Sequence, residues 1–406
     1  MKRPAEIYLA IFLFGYYMSY PAKVLTMNTQ VSTLLVCTFI GWFLVGYHFL
    51  KEMRLPHVVR IEARRIVILI VLTIAAVQIT LAARYHNSPP TLSLNSGRYI
   101  TYLFACFPMM VLSRGGVSRE SFSLKCVVLI SAVAYAVAAT FNATYRLPTD
   151  LIEPLDGKYF VGPFLRAGAG YLDPNFLAIN LIILLVFSRY INIGRVSRFI
   201  VASSCLIGIF LTFSRAAWLV SAILIVAALV RNRSTVLAMA AIGVAVIGLA
   251  TNQDLFLDEG LFRRFVDEEG ASSTADRLRQ YVGALSELQN VSFESASFGV
   301  GGPDVFFIKH GAHLHNFYLG AFIDGGLISV IAPLVALLLT FWWTGGVSRL
   351  LIATWVAMSL FLPNVPDTLY FVISLAVALG LRASMSKVKS ISIDDSGITA
   401  GVSRHA

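Results

Sequence analysis

The chain reads as an all-α, polytopic membrane protein of about twelve transmembrane helices, with a large, partly helical outer loop before the tenth. Three observations predict this. Mean hydropathy is +0.75, with 57% of residues hydrophobic and 13% charged, roughly half the charge of a soluble domain. Apolar runs of near-spanning length recur along the chain, separated by short connections rich in Lys and Arg. One long water-compatible stretch, about 252–312, interrupts the pattern and leads into the histidine-bearing segment His310 to Gly326 (HGAHLHNFYLGAFIDGG). Chemistry in such a protein belongs at one face of the bilayer.

Taken in order, the expected spans are about 5–20, 30–50, 66–83, 99–113, 124–141, 174–188, 199–213, 216–230, 235–251, 314–343, 350–362 and 368–381, each near the length a bilayer core requires. The first follows Lys2 and Arg3 but lacks a small-residue cleavage site, so it reads as a retained span rather than a signal peptide. The chain therefore divides into spans one to nine over 1–251, with an outer segment at about 142–173, then the loop 252–313. Spans ten to twelve cover 314–383, and a polar tail follows over 384–406.

Basic residues set the orientation. With the N-terminus in the cytoplasm, every cytoplasmic connection is basic: Lys51 to Arg65, Arg114 to Lys125, Arg189 to Arg198, Arg231 and Arg233, Arg349, and Arg382 to Lys389. The net charge of +10 is thus spent on topology, and it is not a nucleic-acid surface. Cys37, Cys106, Cys126 and Cys205 lie in or beside apolar runs, so no disulfide framework is implied.

The stretch from Phe199 to Val230 carries a single charge, Arg215, near its middle. As one helix it would be about 48 Å long, too long for a core of about 30 Å, and basic residues flank both ends. It is better read as a hairpin with Ser214 and Arg215 at its outer tip. Each arm is only about 22 Å long, which leaves Arg215 within the membrane's depth. An ionisable group there is costly and marks a ligand or partner; the plainer alternative is an arginine snorkelling to the interface or pairing with an outer carboxylate.

Within the loop, Ser273 to Gln289 has the pattern of an amphipathic helix, with Leu278, Tyr281, Val282, Leu285 and Leu288 on one face. Ser273 and Asp276 resemble a capping box at its start. Arg277 stands one turn before Tyr281, whereas Arg279 points elsewhere; both arginines would also suit an ordinary solvated surface. His310, His313 and His315 have H-x-x-H-x-H spacing, but no nearby cysteine and no H-E-x-x-H arrangement supports zinc, so no metal site is assigned. His315 opens the next helix, where an imidazole can serve as general base or orient a hydroxyl. Asn316 either fixes that ring or caps the helix. Asp324 lies about 13 Å further along; it either pairs with an arginine or satisfies backbone at the turn loosened by Gly325 and Gly326. Asp173, Pro174 and Asn175 open the sixth span as cap and first turn. Gly299 to Gly302 (GVGG) could admit a phosphate but lacks P-loop spacing.

Four segments together resemble the O-antigen ligase and polysaccharide polymerase superfamily of bacterial envelope enzymes: GYLDPNFLA (170–178), LTFSRAAWL (211–219), DRLRQYVGAL (276–285) and the stretch from Gly299 to Leu327. The likeness covers roughly 162–327. It implies about a dozen spans, a periplasmic loop before the histidine-bearing helix, and an inner-membrane location. It also implies transfer of a glycan from undecaprenyl diphosphate to an acceptor sugar hydroxyl, on a glycan or glycolipid such as the lipid A core, without nucleotide sugar, metal or other cofactor. Carried over by motif, Arg215, Arg277 and His315 become the catalytic residues. Arg279, Asn316, Tyr281, Asp173, Asn175 and Asp324 are candidates for contacting substrate. Tyr281 stands where the family commonly has Trp, and Ile328 and Ser329 stand where a further glycine is common. A polymerase of the same superfamily would differ only in acceptor. A lipid-linked-sugar transporter is the rival from another class, although no repeated halves are visible.

Overall fold

A computed structural model of the chain describes residues 4–26, 33–53, 63–86, 90–112, 117–145, 160–161, 164–165, 167, 174–229, 268–301, 303–310, 314, 316–360 and 368–380. Helices α1 (Pro4–Thr26), α2 (Thr33–Met53), α3 (Ala63–Tyr85), α4 (Pro90–Leu112) and α5 (Phe122–Tyr145) come first. A two-residue antiparallel ladder, β1 (Phe160–Val161) with β2 (Phe164–Leu165), precedes α6 (Pro174–Ser188), α7 (Arg195–Leu211) and α8 (Arg215–Leu229). The later elements are α9 (Glu268–Gln289), α10 (Phe293–Phe298), α11 (Pro303–His310), α12 (Phe317–Trp343), α13 (Val347–Ser359) and α14 (Thr368–Gly380). A helix occupies each expected span except 235–251, which lies outside the described residues.

Among the described residues, Arg64–Tyr85, Phe122–Ala143 and Phe317–Trp343 are long and apolar enough to cross a membrane. Their outward faces are apolar too. On α3, Ile70, Ile74, Val77 and Leu81 recur every three or four residues and are all exposed, while Leu72, Ala76, Ile79 and Ala82 are buried behind them. A helix that is apolar on both its packed and its exposed faces is solvated by lipid. The architecture is that of a helical membrane protein.

α14 is buried along its whole length, and α6 almost so, as expected of helices that are hydrophobic all round. α1 packs against both. Tyr16 stacks on Phe371 with ring centroids 4.0 Å apart, and its hydroxyl donates to Asn180 Oδ1 at 2.7 Å. Cys37, Cys106, Cys126 and Cys205 are all free thiols. Pro108 inside α4 has no N–H to offer the carbonyl of Phe104. The Trp42 indole donates to that carbonyl instead, at 3.1 Å.

Two ends of the bundle can be told apart. At one, Glu6 accepts from the Ser118 N–H, Arg119 lies over the Tyr190 ring, and Arg64 lies over Trp343. Arg349 donates to the carbonyls of Phe341 and Thr344, closing the end of α12. These are the basic connections expected on a single side. Arg65, in the first turn of α3, lies at the same end but is buried there. It donates to the Met110 carbonyl at 2.6 Å, in the last turn of α4, where carbonyls have no helical partner.

At the opposite end α12 is interrupted. Gly326 has φ 74° and ψ −167°, which splits the 27-residue element into two helical pieces. A straight helix of this length would span about 40 Å, against about 20 Å for α13, yet the residue capping α12 touches the end of α13. The break allows this by redirecting the first piece. Non-helical backbone at membrane depth needs protein around it, and both Gly325 and Gly326 are buried.

Candidate functional site

The expected hairpin is present. α7 ends at Leu211, α8 begins at Arg215, and Thr212, Phe213 and Ser214 form a buried tip. Phe213 takes φ 49°, which reverses the chain. Phe210 stacks on Trp218 across the turn, and the Trp218 indole donates to the Ile209 carbonyl at 3.2 Å. Ser214 Oγ accepts from the Ala217 N–H as the cap of α8. The N–H of Ala167, from the outer segment, donates to the Leu211 carbonyl at 2.9 Å, so Ala167 lies against the end of α7 at the tip. Arg215 is therefore the first residue of a helix that starts inside the protein rather than at its surface; its side chain lies outside what is described.

The loop helix α9 begins at Glu268, five residues ahead of the expected start. Ser273 and Asp276 thus fall inside the helix rather than at its start. Glu268 and Glu269 in the first turn favour the earlier start, since carboxylates stabilise a helix N-terminus. From Arg279 onward, where its side chains are described, the packed face consists of Gln280, Gly283, Ala284 and Glu287, while Tyr281, Val282, Leu285 and Leu288 are exposed. Gly283 is small because the His310 ring lies against it. His310 Nε2 and Lys309 Nζ both meet Glu287 Oε1, at 2.7 and 2.6 Å. Burial alone would raise the Glu287 carboxyl, but these two hydrogen bonds outweigh it and hold it below the usual glutamate range. His310 is accordingly a joint between α9 and α11.

Two of the predicted residues, Asn316 and Tyr281, meet at the start of α12. Asn316 is the N-cap, accepting from the N–H groups of Tyr318 and Leu319 at 2.9 and 3.1 Å. Its Nδ2 donates to the Leu360 carbonyl at 3.2 Å, and the Tyr281 hydroxyl donates to the same carbonyl at 3.4 Å. Ser359 Oγ donates to the Tyr318 hydroxyl beside them. Leu314 is buried in a small cluster with Ala284, Phe306, Phe322 and Ile323, separate from the main core. His315 itself lies outside the described residues. Both of its described neighbours, Leu314 and Asn316, contact elements of the site: α9 and α11 through one, α13 through the other. Helix α12 begins at Phe317, so His315 precedes the cap rather than opening the helix.

The glycine-rich stretch turns out to pack backbone against backbone. The Val300 N–H donates to the Ile323 carbonyl at 2.9 Å, and a Cβ on Gly299 would strike the backbone of Phe322, Ile323 and Gly325. A Cβ on Gly326 would strike Ala296 and Ser297. Gln78 of α3 joins the two, donating to the carbonyls of Ser297 and of Gly325. An amide already bonded to Ile323 is not offered to a phosphate. Asp324 is buried at this break.

Arg277 stands in α9 one turn before Tyr281, and its side chain lies outside what is described; Arg279 is exposed. Pro174 opens α6 with Asn175 second, while Asp173 and His313 lie outside the described residues. α8, which Arg215 opens, packs against α6 and α13, and α13 ends at the carbonyl shared by Asn316 and Tyr281. Among the described residues no three His, Cys, Asp or Glu side chains gather as a metal site would require. Leu360 and Gln78 were not anticipated: one acts through its backbone, and the other sits in an apolar helix whose pattern gives no hint of its partner.

No protein-family model matches the chain, and no curated protein matches it.

Proposed function

We propose that the chain is a glycosyltransferase of the O-antigen ligase type, moving a glycan from undecaprenyl diphosphate to an acceptor sugar hydroxyl at the outer face of a bacterial inner membrane. The observation that carries this reading is the convergence of Asn316 and Tyr281 on the Leu360 carbonyl. It puts the α9 turn that holds Arg277 next to the residue flanking His315.

In this reading Arg215 and Arg277 bind the diphosphate, a geometry that guanidinium groups suit because they can form paired hydrogen bonds to phosphate oxygens. The acceptor oxygen attacks the anomeric carbon, the bond from that carbon to the phosphate oxygen breaks, and undecaprenyl diphosphate leaves with the bonding electrons. The acceptor's proton passes to His315. Direct displacement inverts the anomeric configuration. A diphosphate is already a good leaving group, so positioning and charge stabilisation suffice without metal assistance. Both substrates meet on the side of the loop 252–313, with both chain termini in the cytoplasm and about twelve spans between them.

Transporters also use interrupted helices to build sites at membrane depth. In α12, however, the interruption is filled by α10 and Gln78. The separating experiment uses purified protein and a lipid-diphosphate-linked glycan. Transfer releases one undecaprenyl diphosphate per glycan moved, whereas a transporter changes only the sidedness of an intact lipid-linked sugar.

A further inference from the structure

We propose that the exposed face of α9 and α10 is a bilayer-contact surface that rests in the interface of the leaflet where α3 emerges. Helix α9 turns its apolar side away from the protein: Val282 is 58% and Leu285 54% exposed, with Tyr281 and Leu288 beside them. This is the reverse of an ordinary surface helix, whose apolar stripe faces the core. The chain continues through exposed Val291 to Phe293, which is 89% exposed. Side chains of this size standing together in water form a patch that calls for a partner.

Continuity with the lipid-facing wall identifies that partner. The exposed stripe of α3, Ile70, Ile74, Val77 and Leu81, leads one turn further to Tyr85. Tyr85 is where α10 is fastened: its hydroxyl donates to Glu294 at 2.9 Å, and its ring stacks on Phe298 at 4.3 Å. His86 Nε2 is 3.1 Å from the Phe298 carbonyl. Phe293 is therefore anchored at the point where the lipid-facing stripe ends, and tyrosine is a residue that marks that level of a membrane protein. A helix with one apolar face and one polar face lies in the interfacial plane with its apolar side about 5–10 Å into the headgroup boundary.

The contact is apolar rather than electrostatic. From 268 to 310 the acidic residues Glu268, Glu269, Asp276, Glu287, Glu294 and Asp304 outnumber Arg277, Arg279 and Lys309. Attraction to anionic headgroups therefore does not drive the contact. Lying in the interface would hold the 277–281 turn at the depth of lipid phosphates. The inference needs only that the helices sit in a bilayer, so it stands or falls separately from the transfer reaction.

The test uses the full chain with its four cysteines replaced, reconstituted in phosphatidylcholine vesicles, and a nitroxide attached in turn at Leu285→Cys, Phe293→Cys and Asn290→Cys. Asn290 is exposed and directly follows α9, where about 100° per residue puts it about 140° round from Leu285. The ratio of oxygen to nickel-chelate collision should be several-fold higher at 285 and 293 than at 290, and unchanged when anionic lipid or salt is added. Nickel access at 285 and 293 equal to that at 290 would place the face in water. Exclusion of both reagents would mean that protein, a second copy or another partner, covers it. Either result overturns the proposal.

Discussion

Asn316 and Tyr281, on different helices, donate to one carbonyl oxygen, that of Leu360, at 3.2 and 3.4 Å. A carbonyl at the end of α13 has no helical donor of its own, so the two side chains satisfy it and tie α9, α12 and α13 together. Asn316 also caps α12 through Oδ1, and the two roles separate by substitution. Asn316→Ala loses both and should cost about 1–2 kcal/mol in thermal unfolding of the detergent-solubilised protein. Asn316→Asp keeps the cap, because a carboxylate is welcome at a helix N-terminus, but opposes the Leu360 carbonyl. It should melt near the wild type and transfer poorly. Full transfer by the Asp variant would show that the link to Leu360 is dispensable.

The features legible in the sequence were those set by burial and by single-residue conformational limits. Hydropathy located the helices, and the length of the Phe199 to Val230 run required a hairpin near Arg215, where the turn is found. The pair Gly325 and Gly326 signalled a loosened turn, but not that the loop would dock there. Periodicity reports which face of a helix is apolar, not what that face meets. For this reason Tyr281, Val282, Leu285 and Leu288 are legible as one apolar face of α9, while its outward orientation is not. The roles of Leu360 and Gln78 depend on partners far away in sequence, which no local pattern encodes.

Four glycines with positive φ provide a ranked test of the loop's docking. Gly346 has φ 56° with open space around it, so Gly346→Ala carries only the backbone penalty, about 1 kcal/mol. Gly301 has φ 108° and meets only the Val305 side chain, which can shift. At Gly299 and Gly326 the obstruction is backbone, so alanine should cost more than about 2 kcal/mol at each. Melting temperatures should therefore fall least for Gly346→Ala, more for Gly301→Ala and most for the other two. Equal losses at Gly299 and Gly346 would contradict the close approach of α10 to α12.

Glu287 gives the loop an acid sensitivity. Its carboxyl titrates below the ordinary glutamate range when folded, so its stabilisation is fully present above the unfolded value of about 4.3. As pH falls through the lowered folded value the carboxylate is protonated, and the joint to Lys309 and His310 is lost. Hydrogen exchange should report opening between α9 and α11 below about pH 4, with no corresponding change at neutral pH. Glu287→Gln should open the joint at neutral pH and abolish the acid-dependent step. An identical acid response in that variant would assign the step to another group.

If the proposed transfer is right, Arg215→Ala, Arg277→Ala and His315→Ala should each reduce it by at least about 100-fold while the protein still inserts, because each would remove charge stabilisation or proton transfer at the reacting centre. His310→Ala should act differently. It removes the bond to Glu287 and the packing over Gly283, so the main loss is in stability, about 1–2 kcal/mol. His313→Ala should have a small effect. Equal loss of transfer from all three histidine changes, restored by added zinc, would point to a metal site instead.

Within the proposed function, the acceptor separates a ligase from a polymerase, and the composition of the outer segment is the ground for proposing the first. It carries Arg146, Lys158 and Arg166 among Asp150, Glu153 and Asp156, and basic groups of this kind suit a phosphorylated core oligosaccharide. They would also suit a second lipid diphosphate, so the glycan that accumulates without the protein decides between them. A ligase acts after polymerisation, and its loss strands finished chains on their carrier. A deletion strain should therefore hold long glycans still attached to undecaprenyl diphosphate, with the lipid A core bare. Single repeat units on the carrier, or core capped by only one unit, would show that chain growth is the missing step and would reassign the protein as a polymerase.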